Sequence, residues 1–275
     1  MTAGPAVDDA HRDAIRQRLR ALEADEGVRI VLAVESGSRA WGFASTDSDY
    51  DVRFVYVRPA SHYLSIRVED RRDVIERPID GEIDLNGWDL RKALRLLART
   101  NPAIVEWLQS PITYVERGRF RIDARNLLPA LYSPVRGLHH YRQMALGNHR
   151  SYLRGERVRL KKYLYALRPL LAARWIEARG TPAPMAFADL LGATELPPEC
   201  RAAVAELLAR KQSSSELAEG PPVPALQSFI ETELARDVQV PLRADGGDAE
   251  AAWAALDGLF ASVLGEEAGS QAVAS

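Results

Sequence analysis

Apolar positions follow two periods along this chain: a helical one at residues 8–26 and again from Trp88 onward, and strand-like patterns between them. Between residues 8 and 26, Ile15, Leu19 and Leu22 share one helical face while Arg16, Arg18 and Arg20 fall elsewhere, which predicts an amphipathic helix ended by Gly27. Val28 to Val34 is a short apolar run bounded by Gly27 and Gly37, the pattern of a largely buried strand. A second strand is predicted from Val52 to Val57, stopped by Pro59. A third is predicted from Glu82 to Asn86, where Glu82, Asp84 and Asn86 alternate with Ile83 and Leu85. From Trp88 onward the period is helical. Leu90, Leu94 and Leu97 make a stripe with Arg91, Lys92, Arg95 and Arg99 off it, and Asn101-Pro102 opens a helix that ends before Pro111. Beyond Pro129 the pattern is helical alone, with helices expected at 134–155, 157–179, 199–211 and 247–264 and a connector at 212–225. The chain therefore reads as α+β: a strand-bearing domain over 1–130, an all-helical domain over 131–265, and a disordered tail over 266–275.

Composition narrows the function classes. A chain of 275 residues, 47% apolar and 27% charged, has enough material for two cores. Its net charge of -2 excludes the global basic field of dedicated duplex binders, so any nucleic-acid contact must be local. A single cysteine, Cys200, excludes an intramolecular disulfide framework and any Cys-based zinc site, which fits a reducing cytosol. The opening MTAGPAVDDAHRDAIRQ lacks a secretory pattern, and no apolar run reaches the ~18 residues of a membrane span, so a cytoplasmic protein without membrane contact is expected.

The chemistry concentrates in GSRAWGFASTDSDYDVRF, residues 37 to 54. Side chains two apart on a strand share a face, so Asp49 and Asp51 project together, roughly 6–7 Å apart. Like charges at that spacing call for a cation, and hard oxygen donors suit Mg²⁺, with Mn²⁺ as a substitute. Asp84 from another strand is the candidate third acid, completing a two-metal clamp for in-line displacement at phosphorus. Glu82 shares its face, and Asp89 reads as an early helix acid. Gly37 and Ser38 turn the chain after a strand and present backbone N–H groups to a phosphate, with Arg39 supplying charge; a simple helix cap is the alternative for Ser38.

The apolar strand, the Gly-Ser turn, the spacer and Asp-x-Asp together resemble the DNA polymerase beta nucleotidyltransferase superfamily. More narrowly, GSRAWGF, SDYDVRF, EIDLNGWDLRKALRLLARTNPAIVEWLQSP and LKKYLYALRPLLAARW, over roughly residues 28 to 180, resemble the bacterial nucleotidyltransferases of the RlaP/YcgL type. The resemblance implies a nucleotidyltransferase domain with a mixed sheet flanked by helices. It implies that Asp49 and Asp51 hold both metals, that Asp84 binds one and helps deprotonate the attacking hydroxyl, and that a nucleoside monophosphate passes from a triphosphate such as ATP to an acceptor. An RNA 3′ end is the acceptor that an RNA-repair polymerase suggests. Tyr50 departs mildly from the apolar residue usual at its position.

In the second half, Lys161, Tyr165 and Arg168 lie on the shoulder of the Leu160-Leu164-Leu167-Leu171 stripe. Lys161 and Arg168 are candidates for the β and γ phosphates and Tyr165 for stacking on a base; a solvated face is the bland alternative. Pro169 is expected to bend this helix. Two other classes compete with the enzyme: a nucleotide-binding regulator or antitoxin-like protein that keeps the fold with little catalysis, and a scaffold whose acids bind a stabilising cation. Oligomeric state is not encoded in any of these signals.

Overall fold

A computed structural model describes residues 7–213, 219–238 and 249–274. In chain order the elements are α1 (Asp9–Glu26), β1 (Arg29–Glu35), α2 (Gly37–Ala40), β2 (Tyr50–Val57), α3 (Ala60–Tyr63), β3 (Val74–Asp80), β4 (Ile83–Asp89), α4 (Leu90–Ala98), α5 (Pro102–Gln109), β5 (Thr113–Glu116) and α6 (Phe120–Leu131). These are followed by α7 (Pro134–Tyr152), β6 (Val158–Arg159), α8 (Lys161–Arg179), α9 (Phe187–Gly192), α10 (Pro198–Ser213), β7 (Glu219–Gly220), α11 (Pro224–Ala235) and α12 (Ala249–Ala274). The fold is α+β, as the two periods predict.

Contacts divide the chain into two units. One contains Val7–Gly37, Asp49–Tyr132 and the described residues after Gly246; the other contains Ser38–Ser48 and the described residues between Ser133 and Asp245. This partition departs from the sequence boundaries in two places. The spacer after Gly37 packs with the helices, and α12, which crosses the stretch expected to be a tail, packs on α4 and α6 of the sheet unit. Part of the expected connector, 214–218, lies outside the described residues, and α11 begins within its far end.

The sheet unit is built on five strands in the order β3-β4-β2-β1-β5. β2 and β4 run parallel and the other neighbours antiparallel, so the sheet is mixed. Alternation in β2 sends Val52, Phe54 and Tyr56 to one core with Ile15, Leu19 and Leu22 of α1, and Val55 and Val57 to the other with Leu90, Leu94, Leu97 and Trp107. Local signals start and stop these helices: the Asp8 side chain accepts from the His11 N–H at 2.9 Å and Gly27 ends α1 at φ 60°, while Asn101 caps α5 ahead of Pro102. β3 and β5 carry little periodic signal because they are the sheet's edges. Pro78 is tolerated in β3 where the pairing register shifts between Arg77 and Asp80.

In the helical unit, α7 and α8 form the main packed pair, with α9, α10 and α11 against α8. α8 runs through Pro169 without interruption. Arg142 donates to the Glu233, Leu234 and Arg236 carbonyls at 3.0, 3.0 and 2.9 Å, satisfying the C-terminal end of α11.

Gly87 on β4 is a packing requirement: a Cβ there would meet the ring of the fully buried Phe54 at 2.1 Å. Gly87→Ala is expected to destabilise the protein by about 1–3 kcal/mol, read as a lower denaturation midpoint, whereas an unchanged midpoint means that the β2–β4 packing is looser than described.

Candidate active site

The parallel pairing of β2 with β4 sets Asp51 directly opposite Asp84. Both carboxylates are half-buried and both reach one nitrogen: Arg53 Nη2 donates to Asp51 Oδ1 at 3.0 Å and to Asp84 Oδ2 at 2.8 Å. Asp51 and Arg53 share a strand face by two-residue alternation, and the parallel register brings Asp84 to the same place. The guanidinium is further fixed by Nη1, which donates to the Val52 and Asp84 carbonyls at 3.1 and 3.3 Å.

Asp51 is braced from behind. Its N–H donates to Glu35 Oε1 at 2.8 Å, and its carbonyl accepts from the Ser36 N–H at 2.9 Å. Glu35 is fully buried, and the Tyr114 hydroxyl donates to its other carboxylate oxygen. Gly37, at φ 59°, lies against Asp51 so closely that a Cβ would fall 1.9 Å from Oδ2. Only glycine meets both demands there.

Asp49 lies one residue before β2 and is exposed. Among the described residues, no three His, Cys, Asp or Glu side chains gather closely enough to hold a metal ion. Of the three acids expected to converge, strand register sets Asp51 opposite Asp84, and Asp49 lies one residue before the strand. Their donor set still suits Mg²⁺, which takes few protein oxygens and fills its octahedron with water and substrate phosphate.

Ser38 and Arg39 belong to the helical unit, and both are buried. The Ser38 carbonyl accepts from the Phe43 N–H at 3.0 Å, and Arg39 Nη2 donates to the Ser48 carbonyl at 2.5 Å. Phe43 makes edge contacts with Tyr165 and Phe187, and the Phe187 N–H donates to the Trp41 carbonyl at 2.9 Å. Aromatic anchoring therefore explains why this spacer packs with the helices.

Lys211 on α10 is a residue that the sequence signals missed. It is only 6% exposed, with Phe43 at 5.7 Å and no hydrogen bond or ion pair among the described residues. Burial pushes its ammonium below the ordinary lysine value; Lys161 and Arg39 push it further, and Asp47 opposes them. Burial and like charge both disfavour the charged form of such a lysine. It was illegible because Lys211 ends a helix in a polar stretch.

Arg168 behaves differently from the expectation. At 1% exposure it donates through Nε and Nη2 to the Met185 carbonyl at 3.3 and 3.0 Å and stacks over Trp41 at 4.5 Å. Its guanidinium ties α8 to the loop before α9, because α8 is buried nearly all round and the shoulder expected to be solvated lies in the core at Arg168. Tyr165 is half-exposed, in edge contact with Trp41 at 5.5 Å and beneath Lys162 at 4.8 Å. A cavity of about 260 Å³ in the sheet unit, lined by Tyr63, Asp89, Arg91 and Arg95 among others, includes neither Asp51 nor Asp84.

The chain is 46% identical over 225 residues to the uncharacterized protein YcgL of Bacillus subtilis (strain 168), covering 82% of this chain and 86% of that protein. A crystal structure of a nucleotidyltransferase-like protein from Exiguobacterium sibiricum 255-15 is similar at 13% identity, covering 90% of this chain and 75% of that one with a TM-score of 0.29. Residues 11–262 match one protein family throughout, and the chain belongs to it: the RNA repair pathway DNA polymerase beta family.

Proposed function

We propose that the chain transfers a nucleoside monophosphate from a nucleoside triphosphate to an acceptor hydroxyl, with an RNA 3′ end as acceptor and Mg²⁺, or Mn²⁺, as cofactor. Membership of the polymerase beta family carries the general class, nucleotidyl transfer. The observation that supports the chemistry is the register pairing of the half-exposed Asp51 and Asp84, with Gly37 against Asp51. A protein that only bound nucleotide would have no need of two adjoining carboxylates on neighbouring strands.

In this reading the acceptor oxygen forms a bond to the α phosphorus as the bond from that phosphorus to the bridging oxygen breaks, and pyrophosphate leaves. Asp84 accepts the hydroxyl proton at a carboxylate oxygen. Asp49, Asp51 and Asp84 are the residues that would hold divalent metal, which would supply charge stabilisation at the phosphate. Gly37 keeps Asp51 in place. In the helical unit, Lys161, Lys211 and Arg39 are the proposed anion-binding groups, with Tyr165 as the stacking candidate. No described helix is long and apolar enough to cross a membrane, and the cytoplasm is the proposed setting.

The direct test incubates the protein with each labelled triphosphate, Mg²⁺ or Mn²⁺, and RNA bearing a free 3′ hydroxyl. Label on the RNA with pyrophosphate release is expected. Release of none with any nucleotide favours the regulator; label on the protein or a small molecule replaces the acceptor. Asp51→Asn is expected to leave the far-UV spectrum unchanged and to lower turnover by at least about 100-fold; full turnover removes Asp51 from the chemistry.

Lys211→Met separates ligand binding from folding. Because burial disfavours the charged form, removing it leaves stability at pH 7 unchanged or higher. Nucleotide Kd is expected to rise about tenfold, the loss of one charged contact worth roughly 1.5 kcal/mol. A destabilised variant with unchanged Kd makes Lys211 structural. Since its pKa is lowered, affinity in the unaltered protein should begin to fall at a less alkaline pH than an ordinary lysine allows.

A further inference from the structure

We propose that α4 and α12 hold a single strand of RNA through its phosphates and a stacked base, at a site distinct from the acid pair; the choice of RNA rests on the transfer proposed above. Two cavities of about 260 Å³ each lie in the sheet unit, and Arg91 and Arg95 line both, so the two adjoin. Neither includes Asp51 or Asp84. Asp89, which lines the first, lies toward the opposite end of β4 from Asp84, roughly 16 Å along the strand.

The first cavity is cationic. Arg71, Arg72, Arg91, Lys92, Arg95 and Arg99 line it, against three acids. One of these, Asp89, is committed locally: it accepts from the Tyr63 hydroxyl and the Arg91 N–H, both at 2.8 Å, and so caps α4. Glu69 is shared between Arg91 and Arg95, and Asp73 takes Lys92 at 3.0 Å. Both carboxylates are mainly exposed, so these pairs are weak and exchange readily for another anion. Arg72 comes no nearer to Glu26 than 4.0 Å, and the Arg99 side chain has no hydrogen bond or ion pair among the described residues. Burial, then the charges of Arg58 and Arg71, hold His62 below the ordinary histidine value, so the imidazole is neutral at pH 7 in a positive field.

Arg91, Arg95 and Arg99 recur every four residues along α4, forming one ridge with about 6 Å between neighbours and about 12 Å in all. Like charges at that spacing oppose the helix, and one shared carboxylate does not offset three guanidiniums. A row of phosphates does, whereas a lone phosphate is too short to span the ridge. The second cavity supplies an apolar surface beside that row. Leu94, Leu256 and Phe260 line it together with Trp253, whose side chain is 43% exposed. Phe260 is held by an edge contact with Tyr63 at 5.0 Å. An exposed indole beside guanidiniums is a platform for stacking a base. Charge complementarity thus selects a polyanion that carries flat rings, and the basic field is local, as the chain's net charge of -2 requires.

Binding is read as the fluorescence anisotropy of a labelled single-stranded RNA, with the full chain and without divalent metal. Arg95→Gln combined with Arg99→Gln is expected to weaken binding at least about tenfold and to lessen the slope of log K against log salt by about 1.4, the value for two phosphate contacts of a single strand. Trp253→Ala is expected to weaken it about tenfold with the slope unchanged. Arg20→Gln combined with Arg125→Gln removes equal charge from exposed positions on α1 and α6 and should leave affinity unchanged. If the paired arginine variant fails to fold, Arg99→Glu alone, which breaks no contact, carries the same expectation. Unchanged affinity in the α4 and Trp253 variants, an equal loss in the α1 and α6 control, or displacement of the RNA by an equal concentration of ATP overturns the proposal. A chain that binds RNA here and never transfers nucleotide fails the transfer reading alone, and one that transfers nucleotide to RNA with the α4 and Trp253 variants unimpaired fails this site alone.

Discussion

Electrostatic repulsion between Asp51 and Asp84 is the constraint around which the sheet unit is organised. Parallel pairing of β2 with β4 places the two carboxylates side by side, and the neighbouring groups make that position tolerable. Arg53 compensates the charge in front, and Glu35 holds the Asp51 backbone N–H from behind. Removing water from such a pair without a cation would raise its cost steeply. Half-exposure, reached where β2 and β4 begin and the apolar side chains of the sheet have not yet closed over, keeps that cost moderate.

The buried Glu35 illustrates how a carboxylate behind the acid pair can brace it. With Tyr114 donating to one oxygen and the Asp51 N–H to the other, Glu35 joins β1, β2 and β5 in one hydrogen-bonded chain across the sheet. Ser110 extends that chain by donating to the Glu35 carbonyl at 2.6 Å. Gly37 adds a steric demand, since its positive φ and its closeness to Asp51 each exclude a side chain. The acid pair is thereby positioned by backbone-level contacts on rigid strands, the kind of support that keeps a reacting geometry within tenths of an ångström.

The helical unit follows a different logic. Trp41 and Phe43, carried on the spacer between Gly37 and Asp49, insert among Tyr165 and Phe187, so a stretch that adjoins the acids in sequence folds with the helices. Lys211 and Lys161 lie among these groups with Arg39, and Asp47 is the acid that tempers them.

Periodicity alone determined much of this protein: the helix of residues 8 to 26, the strand cores of β1, β2 and β4, and the helices of the second half, though not the short β6–β7 pair that the all-helical expectation missed; the Gly-Ser and Asp-x-Asp spacing made Asp51, Asp84 and Gly37 candidates. Those features depend on near neighbours along the chain, where a period of two or 3.6 and a glycine in a turn carry the information. Tertiary structure decided the rest. The edges β3 and β5 bury too little to show a pattern, and the contact of Arg53 with Asp84 depends on strand register. Lys211 joins Lys161 and Arg39 only when α10 packs, and Arg168 turns inward because α8 is surrounded. Each of these rests on groups brought together from distant points of the chain, and no local spacing records which residues will meet.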